Sequence, residues 1–314
     1  MVAGHIKTNS MKILITGSNG LLGQKLTTHL LTDPGVTTIA TGRGNNRIKG
    51  LPAHVIYESM DITDAIQINL IFQKHQPDAV IHTAALTQVD ECELNRELCW
   101  QLNVGAVQHI VNACEKYNVF LLHLSTDFIF DGKQGPYGEQ DPPNPISYYG
   151  ESKLAAEKIV ASGKMRWAIA RTVLVYGIAQ DMSRSNIILW VKDNLEKGNK
   201  IKVVNDQWRT PTLAEDLAMG CIQIVKGKNE GIFNLSGKDF LTPYEMAIHT
   251  ADFFKLDKSL IEMADASTFS QPAKRPPKTG FTIDKAIKHL GYSPHSFDEG
   301  IAIVAQQLEK QFRE

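Results

Sequence analysis

Residues 11–26 read MKILITGSNGLLGQKL. A short apolar run, Lys12–Thr16, gives way to Gly17, Gly20 and Gly23, and apolar residues then recur at helical spacing over Leu21–Leu31. A strand, a glycine-rich turn and a helix in that order are the context in which such glycines hold a dinucleotide. The backbone must turn sharply and come close to a pyrophosphate, which a Cβ would prevent. The first N–H groups of the helix supply donors and positive potential. Gly17, Ser18, Asn19, Gly20, Leu21, Leu22 and Gly23 are therefore candidate cofactor-binding residues.

Outward from this turn, apolar β-rich runs at Thr37–Thr41, Val55–Ser59, Ala79–Thr83, Phe120–Ser125 and Trp167–Thr172 alternate with helical patterns such as Ala65–Lys74 and Asn103–Lys116. The alternation predicts βαβ units in a doubly wound, Rossmann-type α/β fold with a parallel sheet. Gly231–Ser236 reads as one further strand returning to that sheet. The expected division is a dinucleotide-binding domain over 11–177 plus about 213–236, and a smaller, discontinuous substrate-binding domain over about 178–212 and 237–314. Two capping-box patterns mark helix starts in the second half, Thr212 with Glu215 and Thr242-Pro243-Tyr244-Glu245, the latter with Pro at the first helical position. Residues 1–10 lack the apolar stretch of a secretory signal and read as a disordered leader or cloning remnant.

The chain has 314 residues, 43% of them hydrophobic, and a net charge of −1. A near-zero charge argues against nucleic acid or a membrane surface as partner, and no apolar run approaches the roughly 20 residues of a membrane span. The four cysteines, Cys92, Cys99, Cys114 and Cys221, form no CxxC pair, so free thiols in a reducing cytoplasm are expected. A small-molecule substrate fits this composition, and a homodimer is compatible with it.

Candidate chemistry centres on Tyr148-Tyr149-Gly150-Glu151-Ser152-Lys153. On a helix, Tyr149 and Lys153 share a face, so phenol and ammonium become neighbours. A nearby cation favours the tyrosinate and predicts a lowered Tyr149 pKa, suited to proton transfer. Such pairs also occur on solvated helix faces without chemistry. The fifth strand ends in Leu124-Ser125-Thr126-Asp127, and ligands of open α/β sheets sit beyond the carboxyl ends of strands. Ser125 and Thr126 then point at the cofactor crevice, with Thr126 able to bond a substrate carbonyl while Tyr149 delivers the proton; as plain strand-end caps they would have no such role. The Gly- and Pro-rich loop from Asp127 to Ser147 is long enough to be functional, with a turn at Asp131-Gly132. His82 and His123 lie in strand runs and read as core residues. The acidic cluster Asp90-Glu91-Cys92-Glu93 complements a helix dipole better than it binds a metal, and no metal site is expected.

Cofactor choice is read at the end of the second strand. NAD usually meets a carboxylate there and a 2′-phosphate meets Arg. Thr41-Gly42-Arg43-Gly44 offers no carboxylate, so Arg43 favours NADP(H) over NAD(H), although Asn45, Asn46 and Arg47 could serve equally well.

Together these motifs resemble the dTDP-4-dehydrorhamnose reductases, extended-type short-chain dehydrogenase/reductases. The resemblance rests on GSNGLLG (17–23), with its G-x-x-G-x-x-G spacing, on Ala84-Ala85-Leu86-Thr87 with Val89-Asp90, and on STDFIFDG (125–132). It continues through YGESK (149–153), Arg171-Thr172 with Val175-Tyr176-Gly177, Asp206-Gln207 with Pro211-Thr212, and Ala273-Lys274-Arg275-Pro276. It implies NAD(P)H-dependent reduction of a 4-keto nucleotide sugar, with Thr126, Tyr149 and Lys153 in catalysis. It implies that Ala84, Ala85, Leu86, Thr87 and Asn103 lie beside the cofactor, Asp61-Ile62 beside its adenine, and Asp127, Leu174 and Arg275 towards the substrate. Asp61 reads equally well as a plain helix-approach residue. Leu174 stands where the family typically has Trp, and Trp208-Arg209 where it has a smaller pair, so the exact sugar is open. The chain is also similar to the regulatory subunit of methionine adenosyltransferase, which binds NADP and grips a partner enzyme. A related nucleotide-sugar reductase or epimerase is a third reading.

Overall fold

A computed structural model describes residues 10–52, 55–181 and 185–311. The leader expected over 1–10 lies, apart from Ser10, outside the described residues. The chain runs β1 (Met11–Thr16), α1 (Leu21–Leu30), β2 (Val36–Gly42), β3 (Ile56–Ser59), α2 (Ala65–His75), β4 (Ala79–His82), α3 (Val89–Leu94), α4 (Arg96–Trp100), α5 (Ala106–Tyr117), β5 (Phe120–Thr126), α6 (Tyr148–Ser162) and β6 (Trp167–Thr172). It continues through β7 (Val175–Tyr176), α7 (Ile187–Glu196), β8 (Ile201–Val204), β9 (Thr212–Leu213), α8 (Ala214–Gly227), β10 (Gly231–Asn234), α9 (Pro243–Phe254), β11 (Ile261–Ala264), α10 (Asp284–Leu290) and α11 (Phe297–Gln311).

Seven strands form one sheet in the order β10-β6-β5-β4-β1-β2-β3, and every neighbouring pair is parallel. This is the expected Rossmann-type α/β sheet. Because β1 pairs with β2 on one side and β4 on the other, the strand order reverses there, and a crevice opens at their carboxyl ends. Helices cover both faces, which is why the central strands are apolar almost without interruption. On one face Ile13, Ile15 and Leu122 pack against Leu26 of α1 and Leu217 and Val225 of α8. On the other, Leu14, Val80 and Leu121 meet Ile68 and Phe72 of α2, Ile110 of α5 and Val160 of α6. Each such side chain contributes about 1.5–3 kcal/mol by leaving water.

Beyond the sheet, α7, α9 and α11 gather around Ile188, Met246, Ile301 and Val304, and α7 and α9 also enclose β8 and β11. Two segments of this second layer reach back over the strand ends. Trp208 donates its backbone N–H to Pro277 O (2.7 Å), and Tyr137, in the long loop after β5, donates to Gly280 O (2.7 Å).

Local expectations fared unevenly. Thr242 and Glu245 form a complete capping box at α9, with Glu245 N donating to Thr242 Oγ1 (3.2 Å) and Thr242 N to Glu245 Oε2 (2.7 Å). Thr212 and Glu215 do not. Thr212 Oγ1 donates to Val173 O (2.6 Å) and Glu215 pairs with Lys25 (2.7 Å), so tertiary partners outcompete the local cap and Leu213 opens α8. The helix expected from Asn103 starts with a π-helical turn, Gln101–Gly105, before α5. All four cysteines are free and buried.

Candidate active site

The glycine turn is built for close approach. Gly17 sits at φ +69°, and a Cβ on Gly23 would lie 2.3 Å from Gly17 O, so α1 can press against the turn only without a side chain there. Gly20 opens α1 with no side-chain cap, leaving the first N–H groups of the helix to other acceptors. Ser18 is fully buried, and its Oγ has no hydrogen-bond partner; Ser125 Oγ, at the end of β5, is in the same position. A buried hydroxyl left unpaired costs about 1–3 kcal/mol. Ser18, beside the uncapped N-terminus of α1, and Ser125, at the carboxyl end of β5, fit the oxygen-rich diphosphate and ribose of a nicotinamide dinucleotide.

Asn19 clasps the loop after β2. Its Nδ2 donates to Asn45 O (3.0 Å) and Tyr57 Oη (3.1 Å), while its Oδ1 accepts from Arg47 N (3.0 Å). Arg43 is exposed at the end of β2. Asp61 accepts from the backbone and hydroxyl of Thr63 (2.9 and 2.8 Å), and the first of these bonds, with help from the nearby Arg43 charge, holds its carboxyl below the usual range. Asp61 thus shapes the approach to α2, and Ile62 is buried in the core beneath it.

After β4 the chain passes through Ala84, Ala85, Leu86 and Thr87. Ala84 N donates to Thr16 Oγ1 (3.3 Å) and Leu86 N to Asn103 Oδ1 (2.8 Å). Asn103 Nδ2 donates in turn to Leu86 O (3.0 Å) and Ser152 Oγ (3.1 Å), and Ser152 Oγ donates to Tyr149 O (2.7 Å). The buried Asn103 amide therefore ties this loop to α6. The sequence alone gives Ser152 no role; its signal is its place three residues after Tyr149, inside the same motif.

α6 begins with Ser147 as cap, its Oγ accepting from Gly150 N (3.2 Å). Tyr149 lies in the first turn, packed with Cys92, Cys99 and Phe128. Burial pushes its phenol well above the ordinary value, and its hydrogen bond with Thr126 pulls the other way. The expected lowering by Lys153 is not what the structure shows. The Lys153 ammonium donates to Leu124 O (2.7 Å) and to His123 Nε2 (3.3 Å), along β5, and burial lowers its own pKa to about 8. Helix spacing placed the two residues on one face, but strand β5 took the lysine head group.

Thr126 Oγ1 donates to Asp127 Oδ1 (3.0 Å). Asp127 is buried, which raises its pKa, and it faces the Thr279 hydroxyl and Arg209 Nε (3.7 Å). Arg209, a departure from the family pattern, spends its remaining donors on Pro276 O (2.7 Å), Trp208 O (2.8 Å) and Pro277 O (3.2 Å). It supports the floor beneath Thr126. Arg275 pairs bidentately with Asp90 (3.0 and 2.6 Å) and so locks its segment to α3. Within the acidic cluster, then, Asp90 is engaged by Arg275, and Glu93 by Arg96. Leu174 has φ +37° and is 44% exposed, on a groove it shares with Tyr176, Ile187 and Trp190. His82 and His123 are core residues, as expected. His82 Nδ1 meets Thr16 Oγ1 (2.7 Å), and the two imidazoles stack with centroids 5.5 Å apart.

The model of the RmlD substrate binding domain matches residues 11–310. A probable low-salt glycan biosynthesis reductase, Agl14, of Haloferax volcanii is 29% identical over 294 residues, 93% of this chain and 96% of that one. Methionine adenosyltransferase 2 subunit beta of Rattus norvegicus is 30% identical over 82% of this chain and 77% of its own length. Among solved structures, a dTDP-4-dehydrorhamnose reductase of Clostridium acetobutylicum superimposes with a TM-score of 0.83 at 28% identity, covering 95% of this chain and 100% of that one. A reductase of the same name from Bacillus anthracis, in complex with NADP, shares the fold at 24% identity and a TM-score of 0.81, covering 95% and 99%. No helix among the described residues is long and apolar enough to cross a membrane.

Proposed function

The chain belongs to the RmlD substrate-binding domain family and is a reductase-like oxidoreductase of that family; we propose that it reduces the 4-keto group of a nucleotide sugar, in the most specific form dTDP-4-dehydrorhamnose to dTDP-L-rhamnose, with NADPH preferred to NADH. The observation that carries this reading is the meeting of Tyr149 and Thr126 at the carboxyl end of β5, alongside the crevice of the glycine turn. The 28% identity over nearly the whole chain to a dTDP-4-dehydrorhamnose reductase supports the substrate class.

A nicotinamide cofactor, when bound, would supply the hydride for the carbonyl carbon. The chain's residues supply the rest. The 17–23 turn and the N-terminus of α1 would hold the diphosphate, where Ser18 would complete its hydrogen bonds; Ser125 would do so at the end of β5, and Arg43 would meet the 2′-phosphate. Thr126 orients the carbonyl oxygen, and the Tyr149 phenol gives that oxygen its proton as negative charge develops on it. Ketone, hydride and proton then sum to the alcohol. Lys153, a cation below about pH 8 anchored on Leu124 O and His123 Nε2, would offer its remaining N–H to the ribose hydroxyls and its charge to the phenolate left behind. Segments of about 178–212 and 237–314 would form the substrate-binding part, and Leu174, just before them in the chain, would face the sugar nucleotide across the groove it shares with Ile187 and Trp190. The Tyr149 phenol, held high by burial, keeps its proton until the carbonyl draws it.

The test is NADPH oxidation by the pure protein against a panel of 4-keto nucleotide sugars. Turnover that is lost in Tyr149→Phe supports the reading. Tight NADPH binding without turnover on any of them would overturn it. The 30% identity to methionine adenosyltransferase 2 subunit beta favours a second reading, an NADP-binding regulatory subunit. Recovery of a methionine adenosyltransferase with the inactive protein would support that one.

A further inference from the structure

Lys153 is held by two acceptors, and one of them has no place in the reaction described above. His123 is 1% exposed on β5, and its Nε2 lies 3.3 Å from Lys153 Nζ. The second acceptor, Leu124 O, is a backbone group of the same strand at 2.7 Å. An ammonium is only a donor, so at this contact the imidazole must be neutral, with its proton on Nδ1. The surroundings enforce neutrality. His123 is wholly desolvated, Lys153 faces it, and His82 stacks on it from the adjacent strand. His82 is itself fixed through Nδ1 to Thr16 Oγ1 (2.7 Å), directly below the glycine turn.

We propose that His123 is a positioning residue for Lys153: its neutral Nε2, with Leu124 O, fixes the lysine head group at the carboxyl end of β5 and stabilises its protonated form. The proposal rests on the reductase reading only for the use made of that cation. A hydrogen bond accepted from a charged group favours the charged form. Without it, the lysine would keep only Leu124 O as a direct acceptor against the same burial, and its proton would leave at lower pH. The other groups acting on Lys153 are Glu157 on its own helix, Cys99 of α4 and Cys92 of α3, all of which favour the ammonium. Glu157 is already paired with Arg171 of β6 (2.8 Å), so His123 is the side-chain acceptor in direct contact.

The test reads the lysine itself. In protein labelled with [ε-13C]lysine, the resonance lost in Lys153→Met is followed by NMR from pH 6 to 11 in the parent, in His123→Phe and in His123→Gln. Phe keeps a flat ring in the core without an acceptor, and Gln restores an acceptor. A midpoint about one pH unit lower in His123→Phe, a tenfold change in proton affinity, with His123→Gln close to the parent, supports the proposal. An unmoved midpoint in folded His123→Phe, or equal shifts in both variants, overturns it. If His123→Phe does not fold, His123→Leu takes its place against the same Gln control. No turnover enters this measurement, so a parent protein inactive on every 4-keto sugar would end the reductase reading and leave this test intact.

Discussion

Glu157 and Arg171 join α6 to β6 through a bidentate ion pair, Nε to Oε1 at 3.0 Å and Nη2 to Oε2 at 2.8 Å, with both side chains at most 5% exposed. Arg171 also donates to Glu139 O (3.3 Å) in the long loop. The helix carrying Tyr149 and Lys153 is thereby fixed to the sheet at a point one turn beyond the lysine. Truncating one partner leaves a buried charge without compensation, whereas replacing both with apolar residues removes attraction and desolvation cost together. Glu157→Ala should therefore lose about 3–5 kcal/mol of stability, and the double change Glu157→Met with Arg171→Met much less. Urea denaturation of the three proteins checks this; a double variant as unstable as Glu157→Ala would contradict it.

Gly23→Ala places a methyl 2.3 Å from Gly17 O, a backbone atom that cannot swing aside. The expected outcome is a loss of about 1–3 kcal/mol from overpacking together with weaker NADPH binding, since α1 must back away from the turn. Gly105→Ala is the control, because its added carbon meets nothing nearer than Trp100 O at 4.0 Å. Tm and the NADPH Kd by fluorescence titration separate the two. Equal effects would argue that general helix perturbation, and not the close approach at the turn, is responsible.

The sequence made the sheet legible because burial on both faces leaves a nearly continuous apolar run in each strand, and the runs alternate with helical periods. The 17–23 turn was legible for a similar reason: Gly17 and Gly23 answer a steric demand that no other residue meets. The partners of Lys153, Thr212 and Arg275 were not. Each is chosen across the fold, by Leu124 and His123, by Val173, and by Asp90, 185 residues away from Arg275 in the chain. Helical spacing can bring Tyr149 and Lys153 to one face, yet it does not say which acceptor wins the ammonium.

Lys153 makes a pH prediction with opposite signs for activity and stability. Its pKa is about 8 in the folded chain and roughly 10.4 in an unfolded one. Between those values the unfolded chain binds more protons, so stability rises with pH across that window relative to Lys153→Met. Activity moves the other way: kcat should fall as the cation is lost above about pH 8. Paired kcat and urea-denaturation profiles from pH 7 to 10 check both signs. A kcat flat through pH 9 would remove the lysine cation from the reaction.

Cofactor preference follows from what surrounds the end of β2. Asn46 closes a turn with Ile48, donating to its carbonyl and accepting from its N–H (both 2.9 Å). Asn45 gives its carbonyl to Asn19, and Arg47 lies 3.7 Å from Asp181. These engagements leave Arg43, exposed beside Asp61, as the guanidinium best placed for a 2′-phosphate, which it can bind through two parallel hydrogen bonds. Arg43→Ala should weaken NADPH by roughly tenfold to a hundredfold, the range of a charge-assisted hydrogen bond, and change NADH little. Arg43→Lys should recover only part, since a point charge replaces a fork. Isothermal titration with both cofactors decides it: equal losses for NADPH and NADH would assign the 2′-phosphate to another group, Arg47 first.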